Sequence, residues 1–181
     1  MKFVDDLYRY EGESAKLKLV QFRNVLFVPP IQYIYFFRKL QNSRFIITRI
    51  FLLCVFRFLQ YLYNIQIPYQ TKIDKGFRIL HYGTIVVNPN TIIGKNFNIA
   101  QGCLIGFAHG KREGVPTIGD NVVMGANSII IGGVKIGNDV LIAPGAFVNF
   151  DVPNNCIVIG NPGRIIQKSS SPTEQYEIYK V

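Results

Sequence analysis

Two side chains in this 181-residue sequence can exchange a proton near neutral pH, His81 and His109, and their surroundings differ. His81 lies in LHYGTIVVNP, two residues after Ile79. His109 lies in GFAHGKREG, beside Lys111, Arg112 and Glu113. An imidazole can take the proton of a hydroxyl and return it to a leaving group, so either residue could serve as a general base. A lone histidine is more often a solvated side chain, and neither segment is a catalytic motif by itself. The three cysteines, Cys54, Cys103 and Cys156, are scattered and lack metal-ligand spacing. They read as small buried apolar side chains in a reducing compartment. Two histidines are too few for a three-histidine zinc site, so no metal is expected.

What must position these residues is a period of six. From Ile67 an aliphatic residue returns at 73, 79, 85, 93, 99, 105, 118, 124, 130, 136, 142 and 148, with a small or apolar residue four places later. Neither an amphipathic helix nor an alternating strand has this period. A solenoid does, each hexad supplying one flat side and one corner, with Gly, Asn, Asp and Pro at the corners. Two hexads break the frame. The one at Ile85 runs eight residues, IVVNPNTI, and the one at Ile105 runs thirteen, IGFAHGKREGVPT. Insertions in a solenoid leave the stack as loops, often on the binding face, which makes the His109 loop and the bulge at Asn88 candidates for function.

The rest of the chain divides around the repeats. Residues 1–65 read as helical, 66–168 as solenoid with a closing segment, and 169–181 as an exposed tail. The formal net charge is +9, and no acidic residue occurs between Ser14 and Ile73, an interval that holds nine Lys and Arg. Phe45–Tyr63 is an apolar run of 19 residues interrupted by Arg49 and Arg57. Each arginine would cost about 2.5–3.5 kcal/mol near a bilayer centre. The run is therefore expected to be a helix packed on the protein or lying on a membrane, not a span. Assembly of an oligomer and attachment to a membrane surface both fit the basic, aromatic composition. Nucleic acid is not expected as a partner, since no recognition motif accompanies the charge. The first residues, MKFVDDLYRYEGES, are polar and lead into no signal-peptide core, so cytoplasm is the expected compartment.

The hexads, LHYGTIVVNP, the loop after Ile105 and GNPGRII near the end together resemble the hexapeptide-repeat acyltransferases. The resemblance runs from about Ile67 to Ile166 and is closest to serine acetyltransferase-like enzymes and polysaccharide O-acetyltransferases. It implies a mainly β fold, a left-handed parallel β-helix behind an N-terminal α-helical region, assembled as a homotrimer. It also implies direct transfer from acetyl-CoA to a hydroxyl. His81 falls at the family's catalytic histidine, with Gln101, Asn88, Gln66 and His109 toward the acceptor. Gly106, Phe107, Ala126 and Pro144 fall beside the pantetheine arm, and Arg164 and Lys168 near the nucleotide phosphates. Two departures matter. The family's serine-holding Asp before the histidine is Leu80 here, and the Asp that pairs with the histidine is Gln66. Both losses argue against free serine and leave a sugar or polysaccharide precursor as the expected acceptor, and the basic, aromatic N-terminal region fits one that is lipid-linked or processed at the membrane. Serine acetylation for cysteine synthesis is the alternative, and a non-catalytic binding scaffold is the alternative of another class.

Overall fold

The structure is a computed structural model that describes residues 2–181. Four helices come first: α1 (Lys2–Glu11), α2 (Lys18–Phe27), α3 (Pro29–Asn42) and α4 (Ile46–Tyr63), with a 3-10 turn, Gly12–Lys16, after α1. The Pro29–Pro30 pair opens α3, where the missing N–H groups would be unpaired anyway. Asn64 ends α4 in the left-handed conformation at φ 52° and turns the chain into the first strand.

From there the chain winds as a left-handed parallel β-helix. Three parallel sheets form the sides of a prism. Face A contains β1 (Ile65–Gln66), β4 (Ile85–Val87), β7 (Leu104–Gly106), β10 (Ile129–Ile131) and β13 (Phe147–Val148). Face B contains β2 (Lys72–Ile73), β5 (Ile92–Ile93), β8 (Thr117–Ile118) and β11 (Lys135–Ile136). Face C contains β3 (Arg78–Ile79), β6 (Asn98–Ile99), β9 (Val123–Met124), β12 (Leu141–Ile142) and β14 (Cys156–Ile159), closed by antiparallel β15 (Arg164–Gln167). The residue that leads each hexad, from Ile67 through Met124 to Val148, is buried in the prism. Hydrophobic burial thus repeats once per side, and backbone pairing between coils stacks the sides.

The corner between faces B and C shows why Asn and Asp punctuate the repeat. Asn96, Asn121, Asp139 and Asn155 all adopt positive φ there. Asn96 donates to Asn121 Oδ1 at 3.0 Å and Asn121 to Asp139 Oδ1 at 3.2 Å, so the corners bond to one another along the axis. Short polar side chains tolerate this conformation and supply the bonds the bend removes.

The first coil would leave a row of unpaired backbone groups at its open end, and the helices cover it. Tyr33 of α3 donates to Ile67 O at 2.8 Å, and Tyr10 of α1 exchanges bonds with Ile79 O and N at 2.9 and 2.8 Å. Arg38 of α3 donates to Ile73 O and Asp74 O at 2.7 and 2.6 Å while gripping Asp6 of α1 through two nitrogens at 2.7 and 3.2 Å. Asp6 also accepts from the Phe77 backbone N–H at 2.8 Å. One part of the basic N-terminal interval is therefore committed to capping the solenoid.

Two expectations are corrected. The tail is not an exposed extension. Asn96 Nδ2 donates to Val181 O, the Val181 N–H donates to Asn96 Oδ1, and Tyr179 packs edge-on against Tyr8 of α1. Cys54 is not a buried apolar side chain but lies exposed on α4, whereas Cys103 and Cys156 are buried; all three are free thiols.

Candidate functional site

The corner from face C to face A carries the candidate chemistry. Ile79, Ile99, Met124 and Ile142 pair in register along face C, and the residues two places beyond them are His81, Gln101, Ala126 and Pro144. They stand in one file, one per coil. Their separations, 20, 25 and 18 residues, are one turn of 18 lengthened by the two-residue and seven-residue insertions where these intervene. Coils rise by about 4.8 Å, so the file runs about 15 Å from His81 to Pro144. Its backbone is continuous: Gly102 N donates to Gly83 O, Asn127 N to Gln101 O, and Gly145 N to Ala126 O, at 3.1, 2.9 and 2.9 Å. Gly125 keeps the file narrow, because a Cβ there would sit 2.7 Å from Pro144 Cδ.

His81 is exposed and takes no hydrogen bond among the described residues. Its loop is nonetheless rigidly specified. Gly83 and Thr84 follow at φ 117° and 46°, and a β-branched residue rarely adopts that conformation. Asn64, also at positive φ, donates to Thr84 Oγ1 at 2.8 Å and clamps the bend. Thr84, a strained β-branched residue three places after the histidine, fits a functional position and was not marked by sequence reasoning. Tyr82 packs edge-on against Tyr63 at the end of α4, with ring centroids 5.5 Å apart.

Gln101, one coil above, holds its carboxamide oxygen buried and without a partner among the described residues. An unmade bond of this kind costs about 1–3 kcal/mol, which a donor on a bound molecule would recover. At the far end, the turn 160–163 closes over β13 through Gly163 N to Phe147 O at 3.0 Å, and exposed Arg164 emerges from it opposite Ile159. Lys168 is not in this group. It lies beyond the other end of β15, where its N–H donates to Asn155 O, in a shallow hollow with Ser171 and Glu174.

The opposite edge of face A holds the other candidates. Asn88 and Gly106 are neighbours there, with Asn88 N donating to Ile105 O at 2.8 Å. Phe107 opens the inserted loop, and His109 packs edge-on against it at 4.8 Å between centroids. Arg112 anchors this loop to Asp151 at 2.8 Å. The Lys135 backbone N–H, and then the Arg112 guanidinium, hold the Asp151 carboxyl below the usual carboxylate range. Gln66 lies between the two edges, exposed on β1. The Cys103 thiol, behind the file, is buried and contacts Gly125 O; burial pushes its pKa up, which disfavours a thiolate nucleophile.

A cavity of about 1030 Å³ lies elsewhere. It lies between α3 and face B, lined by Lys39, Arg49, Tyr69, Lys72 and Ile92 among others, across the prism from His81. No histidine or cysteine borders it. Among the described residues no group of three His, Cys, Asp or Glu is placed to hold a metal ion.

Comparison with known proteins places this architecture. Residues 116–149 match the family described as bacterial transferase hexapeptide (six repeats). The repeats within 116–149 are hexapeptide repeats of the bacterial transferase type. The chain is 36% identical over 108 residues to a serine acetyltransferase of Synechococcus elongatus, covering 59% of this chain and 44% of that protein. It is 33% identical over 103 residues to WcaB of Escherichia coli K12, covering 57% and 64%; that protein carries a provisional name as a colanic acid biosynthesis acetyltransferase. The chain spans about half the length of the curated relatives it matches. Among solved structures, a Brucella abortus serine acetyltransferase in complex with coenzyme A aligns with a TM-score of 0.73 at 23% identity, covering 94% of this chain and 68% of that one. At that identity the likeness establishes the fold.

Proposed function

We propose that this chain is an acetyl-CoA-dependent O-acetyltransferase with His81 as general base and a saccharide hydroxyl as acceptor. The observation that carries the proposal is the single file of His81, Gln101, Ala126 and Pro144, ending at Arg164. Ala126 and Pro144 offer a low, narrow shelf on which a pantetheine arm can lie. Arg164, at the end away from His81, suits the phosphates of the nucleotide. Gln101 has an unpaired buried oxygen that an amide or hydroxyl of the bound ligands can satisfy. Phe107, His109 and Asn88 form the second edge, and Gln66 lies on the floor between.

His81 takes the proton of the acceptor hydroxyl as its oxygen attacks the thioester carbonyl. The carbon–sulfur bond then breaks, and the imidazolium returns the proton to the departing thiolate. No covalent enzyme intermediate is needed, which accords with the buried Cys103. A homotrimer completes the arrangement, because one prism corner is too shallow to enclose a ligand the size of coenzyme A and a neighbouring copy would supply the facing wall.

The saccharide assignment rests on Leu80 and Gln66, neither of which offers a charge to hold an amino-acid ammonium. The names of relatives favour serine as a second reading. An acetyl-transfer assay that follows thiol release, run with L-serine and with a panel of sugars and lipid-linked saccharides, separates the two. Transfer to a carbohydrate well above that to serine is expected; efficient acetylation of serine would reject the saccharide acceptor and leave the transfer chemistry standing.

A further inference from the structure

Helix α4 is apolar on more of its circumference than its packing uses. Its inner side is apolar too: Phe56 and Leu59 are buried, with the Phe56 ring 5.0 Å from Tyr33, while Arg49 stays exposed and stacks over Tyr69. Its outward stripe is Ile46, Ile47, Ile50, Phe51, Phe58 and Tyr61, with Ile47 81% and Phe51 64% exposed. Helix α2, on the other flank of α3, repeats the pattern with Leu19, Phe22 and Leu26 at helical spacing, Leu19 being 78% exposed. Monomeric proteins rarely leave contiguous apolar stripes of this kind uncovered.

Charge decides what covers them. No carboxylate occurs between Ser14 and Ile73, and Lys18, Arg44 and Arg57 beside the stripes form no ion pair among the described residues. Arg23 and Lys16 are paired, with Glu11 and Glu13. A second copy seated face to face would bring like cations together with no acid to oppose them. An anionic bilayer supplies both what the stripes lack and what the cations lack. Helix α4 (Ile46–Tyr63) is long and apolar enough to cross a membrane, and only 11% of it is buried. Phe56 nonetheless packs on Tyr33 of α3 and Asn64 leads directly into β1, which favours a helix lying on the surface.

We propose that α2 and α4 form a monotopic docking surface for an anionic membrane, with α4 lying in the plane of the interface and Ile47, Phe51 and Phe58 entering the boundary of the acyl chains. Arg44, Arg57 and Lys18 then meet headgroup phosphates. The inference deepens the proposed transfer to a membrane-associated saccharide, and it is tested without coenzyme A or acceptor, so failure of one does not implicate the other.

The test is flotation of the full chain with vesicles of phosphatidylcholine alone and of phosphatidylcholine mixed with phosphatidylglycerol, at low and high salt. Salt-sensitive binding to the anionic vesicles is expected. Phe51→Ser with Phe58→Ser should abolish it while leaving the thermal melt unchanged. Arg44→Gln with Arg57→Gln should weaken it on the order of tenfold or more, since each cation at such a surface contributes roughly fivefold. Absence of binding to anionic vesicles, or binding that neither variant alters, would overturn the proposal. So would a solution mass that halves in the Phe51→Ser, Phe58→Ser protein, which would give the surface to a second copy.

Discussion

The solenoid and the helical region both bury apolar side chains, but they differ in the charge they bury and in the apolar surface they leave outside. In the solenoid, an apolar side chain points inward at every hexad, and the large apolar side chains left outside, such as Ile92 and Phe107, are scattered. In the helical region the buried centre includes Asp6, Arg9 and Arg38, and large apolar side chains such as Ile47, Phe51 and Leu19 face outward. The difference has a physical cause on each side. The solenoid stacks coil on coil and satisfies its own backbone, so its interior is mainly hydrocarbon, with uncharged polar side chains such as Thr91, Asn98 and Ser128 buried there. The helices must satisfy the open edge of the first coil, which takes hydroxyls and guanidinium groups inside, and their remaining apolar faces are left outside.

The largest expected effect tests where chemistry resides. His81→Ala should lower turnover by about 10²–10⁴ with coenzyme A affinity little changed, as for a lost general base. If His109→Ala shows that pattern instead, the base lies on the loop edge of face A and not in the file.

The next effect contrasts the two interiors. Asp6→Ala leaves Arg38 buried without its partner and should destabilise the chain by roughly 3–5 kcal/mol in denaturant titration. Ile99→Ala in the solenoid core should cost about 2–5 kcal/mol through cavity formation. The two differ in rescue. Asp6→Leu with Arg38→Met should recover part of the loss if the pair alone matters, and recover little if the bonds from Arg38 to Ile73 O and Asp74 O secure the cap.

The smallest effect concerns the loop that carries His109. The Asp151 carboxyl has a lowered pKa in the folded chain, so the stabilisation it gives is present above its ordinary value of 3.8 and is lost as pH falls through the lower, folded value. The pair with Arg112 is exposed and contributes only about 0–1 kcal/mol. Asp151→Asn at neutral pH should therefore speed proteolytic cleavage of residues 107–116 modestly, and acidification below about pH 4 should act on the wild type in the same direction.

The hexad frame made the solenoid legible residue by residue, because one period fixes both burial and pairing. The file of His81, Gln101, Ala126 and Pro144 was only partly legible. Its spacings are unequal, and the resemblance rather than the period singled out His81 and Gln101. Helices were expected before residue 65, but their capping of the first coil was not. The contact of Arg38 with Asp6 spans 32 residues and leaves no periodic trace. The tail escaped for the same reason: Val181 meets Asn96 across 85 residues, through bonds that no local pattern announces. The strained Thr84 carried a faint signal, a β-branched residue after a glycine at a corner, that means little until its backbone is seen.

The most direct test of this account is a crystal structure with coenzyme A bound. The ligand is predicted to lie along the corner between faces C and A, its thiol toward His81, its arm beside Ala126 and Pro144, and its phosphates toward Arg164. Coenzyme A seated instead in the cavity between α3 and face B, beside Lys39 and Lys72, would contradict it.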